Sequence, residues 1–387
     1  MDQRTYKLRD FAQDVSVAVK DAQSHHLDKF VGLEHYDSGE PVITRYTDTS
    51  LITSSVKEFH KNDILIARRN VYLKRAGIAF FDGLTSGDSI ILRIFDDSDK
   101  RTGIPKEDAV RIIPFVLNSN DFWAYANKHA DGMNSKRISK EMLYDYEFSL
   151  PSLSEIRQLY SKLWAAYNLK DSYKKLLSAT DEMVKSQFIE MFGSNDCESK
   201  PLSDLTSLIT KGTTPTSVGF NFEEDGIKYI KAENICEDTS INLNDCMHIS
   251  QDCHNTLKRS QLQNGDILFS IAGVIGRVGV ITKECLPANT NQALAIIRFD
   301  TSKEINKEYA KYALLSPFVE SQWKMKMRGA AQMNISLKDV GDINIPLPSL
   351  AKQEQFGQIA EQADKSKFEL RKSIEAIDAV IKSLING

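Results

Sequence analysis

Two long stretches of the chain carry apolar residues at spacings of three and four, which is the pattern of an amphipathic helix. One stretch follows residues 148–153, Phe-Ser-Leu-Pro-Ser-Leu, and the other follows residues 345–350, Ile-Pro-Leu-Pro-Ser-Leu. Proline disfavours helix before it, whereas Ser or Leu-Ala can begin one. We therefore predict a central long helix over residues 151–193 and a C-terminal long helix over residues 349–387.

Neither apolar stripe surrounds its helix, so each helix needs a partner, and the simplest partner is the other helix. We expect an antiparallel coiled coil of about 36 residues, on the order of 54 Å long. Ser366 interrupts the C-terminal stripe, and we hypothesise that it marks the level where the packing loosens or a partner subunit enters. The predicted stripes are Ile156, Leu159, Leu163, Tyr173, Leu177, Thr180, Val184 and Met191 in the central helix and Phe356, Ile359, Ala363, Leu370, Ile374, Ile377, Ile381 and Leu384 in the C-terminal helix.

The segments before the two long helices contain short β-branched apolar runs, which predict core strands of an α+β fold. Asp63 and Asp266 follow turn-forming residues at the start of two runs, and we predict that they cap turns rather than act in catalysis. The predicted strands are 64–67, 89–95, 267–271 and 294–299, and further helices are predicted at 121–128 and 307–327.

The two halves of the chain match each other in order and at a nearly constant offset. Segments 6–11, 60–66, 76–78 and 132–139 match segments 200–205, 263–269, 278–280 and 329–336, and the two Pro-Ser-Leu signals match as well. Ordered matches of this kind indicate duplicated domains rather than a solenoid of short repeats. We therefore predict one α+β domain over residues 1–150 and a second over residues 194–348, each followed by its long helix.

The composition fits a globular protein of two domains. The chain has 387 residues, of which 41% are hydrophobic. No apolar run reaches the roughly 20 residues needed to cross a bilayer, and the first residues lack the apolar core of a signal peptide, so we expect a cytoplasmic protein with no membrane partner. Five cysteines without CxxC spacing argue against a zinc site and a disulfide framework, and we expect reduced thiols.

Motifs that would mark an enzyme are missing from the sequence. It contains no phosphate-binding G-x-x-x-x-G-K-[ST] loop, no H-E-x-x-H, no G-x-S-x-G and no N-P-P-[FYW] or D-P-P-Y tetrapeptide. Residues 273–279 resemble a dinucleotide loop superficially, but they do not fit G-x-G-x-x-G, and we interpret them as a glycine-punctuated strand and turn. We expect no catalytic residue, metal or bound cofactor in this chain.

Basic residues cluster in loops of both halves, although the net charge of the whole chain is -4. In the second half, Gln332 and Asn334 follow Arg328 and carry amides that can read adenine edges. An ordinary solvated loop is the alternative for each cluster, and recurrence in both halves favours nucleic-acid binding. The other candidates are Lys211, Thr213 and Thr214, which suit phosphate contacts, and the first-half residues Arg68, Arg69, Lys74, Arg75, Lys136 and Arg137.

Two variable α+β units, each closed by Pro-Ser-Leu and a long helix, resemble the specificity subunit of a type I restriction-modification system. The resemblance covers essentially the whole chain, and it adds Arg277 and Gln292 to the DNA-binding candidates. In the first half there is no Gly-Thr-Thr-Pro loop, Ser89-Ile90 stands where Asn-Gln would be, and residues 132–138 lack the glutamine. The most specific motifs are residues 202–204, 211–215, 265–268, 276–279, 291–297, 329–335 and 345–355.

The resemblance implies that residues 1–150 and 194–348 are target-recognition domains, each reading half of a bipartite asymmetric site in double-stranded DNA. The helix pair would set the gap between half-sites and dock methyltransferase subunits, and two readers on one face of B-DNA lie roughly 34 to 36 Å apart. Complexes of this family contain two modification subunits, which bring S-adenosylmethionine, and restriction subunits, which use ATP with Mg. This chain would bind none of these cofactors itself.

Two other functions are compatible with the residues. The chain could be the specificity partner of a phage-defence methyltransferase or nuclease that is not of type I, and its neighbouring genes would distinguish the two cases. A purely structural coiled-coil adaptor is the third hypothesis. It predicts that replacing Arg328, Gln332 and Asn334 with alanine leaves DNA binding unchanged.

Overall fold

A computed structural model of the chain describes residues 4–19, 27–52, 56–132, 135–193, 198–303, 305–327 and 334–386. The chain divides into two compact units. Unit 1 comprises Met1–Lys174 with Lys372–Gly387, and unit 2 comprises Lys175–Arg371. Both long helices cross the boundary between the units, so each unit contains a segment of each helix. None of the helices in the described ranges has the length and apolar character needed to span a membrane.

Unit 1 is an α+β body followed by the first part of a 40-residue helix. Its strands are β1 Arg4–Lys7, β2 Ala12–Asp14, β3 Ala18–Val19, β4 Lys29–Val31, β5 Val42–Ile43, β6 Thr47–Asp48, β7 Val56–Phe59, β8 Ile64–Ala67, β9 Ala76–Ala79, β10 Gly83–Ser86, β11 Ser89–Ile94 and β12 Glu147–Leu150. Its helices are α1 Leu8–Phe11, α2 Ser98–Thr102, α3 Lys106–Val116, α4 Asn120–Lys128, α5 Lys140–Tyr144 and the start of α6 Leu153–Phe192.

Over the described ranges, unit 2 contains a similar series of elements, with two fewer strands and an additional helix before β18. Its strands are β13 Ser199–Pro201, β14 Thr206–Lys211, β15 Phe222–Glu223, β16 Ile227–Ile230, β17 Met247–Ile249, β18 Ile267–Ser270, β19 Val278–Val280, β20 Ala288–Thr290, β21 Leu294–Phe299 and β22 Asn344–Pro346. Its helices are α7 Leu202–Leu205, α8 Gln251–Thr256, α9 Lys307–Leu315, α10 Pro317–Met327, α11 Leu337–Gly341 and the start of α12 Leu350–Asn386. The helix predicted at 307–327 is thus two helices, because Ser316 is extended and its hydroxyl accepts from Val319.

The sheets of the two units have matching topologies. Within the described residues of unit 1, one sheet has the order β2-β11-β8-β9-β5, and in unit 2 the corresponding order is β14-β21-β18-β19. A second sheet contains the parallel pair β4 and β10 in unit 1 and the parallel pair β16 and β20 in unit 2. A third sheet pairs the first strand of each unit with the strand before its long helix, β1 with β12 and β13 with β22. The predicted duplication of an α+β domain is confirmed.

Asp63 and Asp266 cap turns at the start of β8 and β18, as predicted from the sequence. The Asp63 carboxylate accepts from the His60 backbone N–H at 2.8 Å, and Asp266 accepts from Gln263 at 2.7 Å. Both carboxylates are buried, so each needs a positive partner to offset the loss of hydration. That partner is Arg93 for Asp63, with two contacts of 2.7 Å, and Arg298 for Asp266.

The two long helices begin where the Pro-Ser-Leu signals predicted. Ser152 and Glu155 form a reciprocal cap at the start of α6, in which the Ser152 N–H donates to the Glu155 carboxylate at 3.0 Å. In unit 1, α6 and α12 share a buried cluster that includes Ile156, Leu163 and Ile381. In each unit the start of one helix packs on the end of the other, so the pairing is antiparallel.

In unit 2, the helix packing is aromatic. The ring centroid of Phe356 on α12 lies 5.2 Å from that of Phe188 and 5.7 Å from that of Phe192, both on α6. Tyr309 of α9 stacks on Phe188 at 5.6 Å. The helix pair therefore shares its hydrophobic core with the α+β body of this unit, and aromatic pairs of this kind add to the area burial.

The polar position in the helix packing is Lys367, and the assignment of Ser366 to the packed stripe is wrong. Ser366 is exposed, and its hydroxyl donates to the Gln362 carbonyl at 3.0 Å. The Lys367 side chain is 4% exposed, with Nζ 2.8 Å from Oδ1 of both Asp181 and Asp364. Both Ser366 and Lys367 lie within helical reach of the buried Ala363, and the structure turns the longer side chain inward.

A matching ionic contact is present in unit 1. Lys170 holds the place of Lys367 relative to the Pro-Ser-Leu signal, and Asp378 holds the place of Asp181. The Lys170 ammonium binds Asp378 and lies 2.6 Å from Glu40 Oε1. The duplication therefore extends to the charged groups buried against the helices.

Glu40 is also bound by Lys174 at 2.8 Å, and the matching contact in unit 2 joins Arg371 to Asp238 at 2.8 Å. Burial alone would raise the pKa of the Glu40 carboxyl, but the Lys170 and Lys174 ammonium groups outweigh it and hold that pKa below its usual range. Burial would lower the pKa of Lys170, and its hydrogen bonds to acids reverse the shift. Both partners are therefore charged at neutral pH.

Candidate nucleic-acid interface

The hairpin loop between β18 and β19 in unit 2 is held by hydrogen bonds to Ser270. The Ser270 N–H donates to the Arg277 carbonyl at 2.9 Å, and its hydroxyl donates to the Val274 carbonyl at 2.6 Å and accepts from the Arg277 N–H at 2.7 Å. Gly276 has φ +89°, and a Cβ there would lie 2.6 Å from the Trp323 ring, so glycine is required. The strand-and-turn interpretation of residues 273–279 is confirmed.

A second loop follows β14 and lies beside residues 290–292. The Gly212 N–H donates to the Asn291 carbonyl at 3.0 Å, and a Cβ on Gly212 would overlap the Thr290 carbonyl oxygen. The Thr214 hydroxyl donates to Oε1 of Gln292, whose side chain is exposed. Two residues predicted from separate motifs are therefore in direct contact.

Backbone hydrogen bonds join these loops into one surface. The Ile271 N–H donates to the Ala293 carbonyl at 2.8 Å, and the Ile335 N–H donates to the Ile271 carbonyl at 2.9 Å. A β-bridge pairs Ala272 with Asn334, which is exposed. We call residues 211–214, 271–277, 291–293 and 334–335 the unit 2 loop surface.

Arg259 also belongs beside the unit 2 loop surface, and the sequence interpretation missed it. It lies in the 3-10 turn Lys258–Ser260, and its guanidinium donates to the Thr213 hydroxyl at 3.3 Å. The adjacent basic pair Lys258-Arg259 is visible in the sequence, but it lies outside every motif considered there. Among the described residues, no carboxylate forms an ion pair with Lys211, Arg259 or Arg277, so their charges remain available.

Unit 1 carries a corresponding hairpin between β8 and β9, one residue longer than that of unit 2. The Ala67 N–H donates to the Arg75 carbonyl at 3.0 Å, as Ser270 does to Arg277 in unit 2. The Ile138 N–H donates to the Arg68 carbonyl at 3.1 Å, which repeats the contact between Ile335 and Ile271. We call residues 68–75, 86–88 and 135–138 the unit 1 loop surface.

Asp88 compensates part of the positive charge on the unit 1 loop surface. Its carboxylate lies 3.0 Å from the Arg69 guanidinium and 3.5 Å from that of Arg68. Lys74, Lys136 and Arg137 form no ion pair with another described residue. The net charge of the surface is therefore positive.

Arg75 and Arg277 are structurally equivalent, and each binds a backbone carbonyl. The Arg75 guanidinium donates to Leu33 at 3.0 Å, and the Arg277 guanidinium donates to Ala232 at 3.1 Å. Leu33 and Ala232 begin matching 3-10 turns, Leu33–His35 and Ala232–Asn234. Burial lowers the pKa of Arg75, although a guanidinium stays charged in proteins. Each arginine therefore fixes its hairpin to the neighbouring sheet.

The structure corrects one step of the comparison between the two halves. The hydroxyls of Thr85 and Thr290 make the same 2.8 Å hydrogen bond to the parallel neighbouring strand, so these two residues correspond. Ser86-Gly87, and not Ser89-Ile90, therefore stands where Asn291-Gln292 stands in unit 2. The assignment of Ser89-Ile90 is wrong because Ser89 begins the buried strand β11.

Arg328 and Gln332 lie outside the described residues, as do residues 329–331 and 333. The preceding helix α10 ends at Met327, and the described chain resumes at Asn334 on the unit 2 loop surface. Within the described ranges, no group of three or more His, Cys, Asp or Glu side chains is placed to hold a metal ion. Cys236, Cys246, Cys253 and Cys285 are free thiols.

In the comparison with known proteins, the second half of the chain is similar to a family of DNA specificity domains. A family model described as the type I restriction modification DNA specificity domain matches residues 194–378. The specificity subunit of the type I restriction enzyme EcoBI from Escherichia coli is 28% identical over 167 residues, which are 42% of this chain and 34% of that protein. The MjaVIII specificity subunit of Methanocaldococcus jannaschii is 22% identical over 281 residues, 68% of this chain and 66% of that protein. The chain thus spans between a third and two thirds of the length of these relatives.

Two solved structures share the fold over the whole chain. The type I restriction-modification S subunit from M. genitalium matches with a TM-score of 0.54 at 13% identity, covering 99% of this chain and 95% of that one. A chain solved in work on complex assembly and conformational transition of the type I R-M system matches with a TM-score of 0.54 at 16% identity, covering 99% and 96%. The fold that the resemblance implied is therefore confirmed.

Proposed function

Because residues 194–378 match the type I restriction modification DNA specificity domain, we propose that this protein is the DNA-sequence specificity subunit of a type I restriction-modification complex. It recognises a bipartite asymmetric site in double-stranded DNA and directs methyltransferase and restriction subunits to that site. The named curated relatives are type I subunits, which favours this function over a specificity partner of another defence system.

The observation that carries the proposal is the pair of loop surfaces, one in each unit. Each is built from a β-hairpin loop joined by backbone hydrogen bonds to a segment ahead of a short helix, α5 or α11. Each also presents cations without an ion-pair partner among the described residues. Duplicated binding surfaces in a duplicated chain suit two half-sites of one DNA molecule.

The residues divide by the DNA groups that their chemistry suits. Side-chain amides can read base edges, and adenine offers one donor and one acceptor in the major groove. The amides of Gln292, Gln332 and Asn334 therefore suit adenine. Arg75 and Arg277 position their hairpins and use their remaining N–H groups for DNA. The remaining residues contact phosphate and set the register of the protein on the duplex, namely Arg68, Arg69, Lys74, Lys136 and Arg137 in unit 1 and Lys211, Thr213, Thr214, Arg259 and Arg328 in unit 2.

The chemistry belongs to partner subunits in this proposal. Two modification subunits bind S-adenosylmethionine and methylate the site, and restriction subunits use ATP with Mg for cleavage. The chain itself specifies the DNA sequence at which these subunits act.

Binding measurements with variants of the unit 2 loop surface test the proposal. The full chain is titrated against a duplex selected from a randomised pool and against a scrambled duplex of equal length. Gln292→Ala should weaken binding to the selected duplex by roughly tenfold and leave the scrambled duplex unaffected. Lys211→Ala should weaken both duplexes and lower the slope of log K against log salt by about one.

The triple replacement of Arg328, Gln332 and Asn334 by alanine separates this function from a structural adaptor. The proposed function predicts loss of preference for the selected duplex. Unchanged binding by the triple variant, or a wild-type chain that selects no sequence, would reject it.

A further inference from the structure

The tip of the unit 1 hairpin carries the most exposed aromatic side chain among the described residues. Tyr72 is 61% exposed, and no hydrogen bond or ring contact to another described residue is found for it. The exposed rings of Tyr46 and Phe80 in the same unit do have ring partners, namely Phe81 at 5.3 Å and Trp164 at 5.8 Å. An exposed ring of this size gains free energy when a partner covers it.

The backbone under Tyr72 is fixed by its neighbours. Val71 is buried at 1% exposure, and its carbonyl accepts from the Lys74 N–H at 3.0 Å. Asn70 and Lys74 on either side of the tip have φ values of +53° and +49°, and the Asn70 N–H donates to the Lys136 carbonyl at 2.7 Å. The tip is therefore preorganised, which lowers the entropy cost of binding.

The charges around the tip identify the kind of partner. Lys74 lies two residues after Tyr72, and the Lys136 carbonyl binds Asn70 beside the tip. These two lysines and Arg137, which follows Lys136, have no ion-pair partner among the described residues. An exposed aromatic residue beside cations without ion-pair partners suits a polyanionic partner that also has apolar surfaces. Because β8 and β9 are buried in a five-stranded sheet, the loop between them is the part that would enter the DNA major groove, where thymine presents its methyl group.

Unit 2 places an apolar residue at the corresponding position. Val274 lies three residues before Arg277, as Tyr72 lies three residues before Arg75, and Val274 is 60% exposed. The two tips thus differ in side chain but agree in position and exposure. A position that keeps its exposure while its side chain changes is suited to reading different bases in the two half-sites.

We infer that Tyr72 is a specificity-determining residue that contacts a thymine methyl group in the major groove of one half-site. The inference rests on the function proposed above and names one contact within it. The phosphate-binding cations hold the hairpin against the groove, and the Tyr72 ring covers the methyl group with its apolar face.

A deoxyuridine scan of the selected duplex tests this contact, because deoxyuridine differs from thymidine only by the missing methyl group. Each thymine of the selected site is replaced singly, and the full chain is titrated against each duplex. Wild-type protein should lose roughly three- to tenfold in affinity at one thymine of one half-site, the effect expected for loss of one partly buried methyl-sized contact. The chain carrying Tyr72→Ala should bind the parent duplex as weakly as the substituted one.

Three further variants make the result specific to the ring. Tyr72→Phe should behave as wild type, because it keeps the apolar face. Tyr46→Ala removes a similarly exposed tyrosine whose ring packs within the protein, and it should keep the sensitivity to deoxyuridine. Lys74→Ala should weaken binding to every duplex equally. Scrambled duplexes should bind wild type and Tyr72→Ala alike, with the same salt dependence.

Two results would overturn the inference while leaving the proposed function standing. One is a wild-type chain that selects a split site in which no thymine depends on Tyr72. The other is a Tyr72→Ala variant that selects the same DNA site but no longer assembles with methyltransferase subunits. That result would mean that Tyr72 contacts a partner protein instead of DNA. A wild-type chain that selects no sequence would instead reject the proposed function.

Discussion

Replacing Lys367 by methionine should destabilise unit 2, because it removes the positive charge from a buried ionic contact and keeps the side-chain volume. The Lys367 ammonium lies 2.8 Å from both Asp181 and Asp364, and it is the only one of the three side chains that is nearly inaccessible. Burial alone would raise the pKa of Asp364, and the Lys311 and Lys367 ammonium groups instead hold it below its usual range. Without Lys367, two carboxylates face each other across the helix packing with one fewer cation.

The size of the effect follows from how exposed the acids are. Removing one partner of a fully buried ion pair costs about 3 to 5 kcal/mol. The Asp181 and Asp364 side chains are 42% and 37% exposed, and Asp364 keeps Lys311 at 3.0 Å, so water and the second lysine compensate part of the loss. We expect about 2 kcal/mol, which lowers Tm by roughly 4 to 8 °C in a unit of this size.

Urea and thermal unfolding of the full chain measure this effect, with Lys365→Met as the matched control. Lys365 is 75% exposed and pairs with Glu361 at 2.8 Å, so its loss should change the free energy of unfolding by less than about 0.5 kcal/mol. Adding Asp181→Leu to Lys367→Met should recover much of the stability, because it removes the uncompensated charge. If Lys367→Met unfolds together with the Lys365→Met control, the ionic contact does not stabilise the helix packing.

Three further predictions concern pH, a glycine and the length of the helices. Lys170 and Lys174 lower the pKa of Glu40 against the effect of burial. This shift contributes stability that is fully present above the pKa of Glu40 in the unfolded state and is lost as the pH falls through its pKa in the folded state. Glu40→Gln should therefore reduce the change in the urea midpoint between neutral and acidic pH. Gly212→Ala should cost at least about 2 kcal/mol in unit 2, since a Cβ overlaps the Thr290 carbonyl, and unchanged unfolding would refute that geometry. Inserting one heptad in both α6 and α12 lengthens each by about 10 Å and should widen the unspecified gap by about three base pairs, while altered half-sites in methylation mapping would count against a spacer role.

The sequence predicted the helix starts and turns that depend on neighbouring residues. The Pro-Ser-Leu signals located the starts of α6 and α12, and the Asn-Asp and Asn-Gly-Asp turns located Asp63 and Asp266 at the starts of strands. What the sequence did not predict is the arginine partner of each buried aspartate. That partner lies on the paired strand about thirty residues away, and only the register of the sheet brings it close.

Two errors had the same origin, because both needed a contact between distant residues. Counting apolar spacings placed Ser366 in the packed stripe instead of its neighbour Lys367. The sequence alone does not distinguish a lysine that is buried against Asp181 from a lysine that is exposed to solvent. Ser89-Ile90 was aligned with Asn291-Gln292 because the connection from β9 to β10 is shorter than the connection from β19 to β20, which changes the offset between the two halves. Arg259 was missed since its nearness to Thr213 depends on the fold.

Selection of DNA by the full chain from a randomised duplex pool, repeated with one variant in each unit, tests the central claim most directly. The account predicts a split motif in which Gln292→Ala changes one half alone and Tyr72→Ala changes only the other, with the gap between the halves preserved. A continuous motif, or a variant of one unit that alters both halves, would contradict the division of a bipartite site between the two loop surfaces.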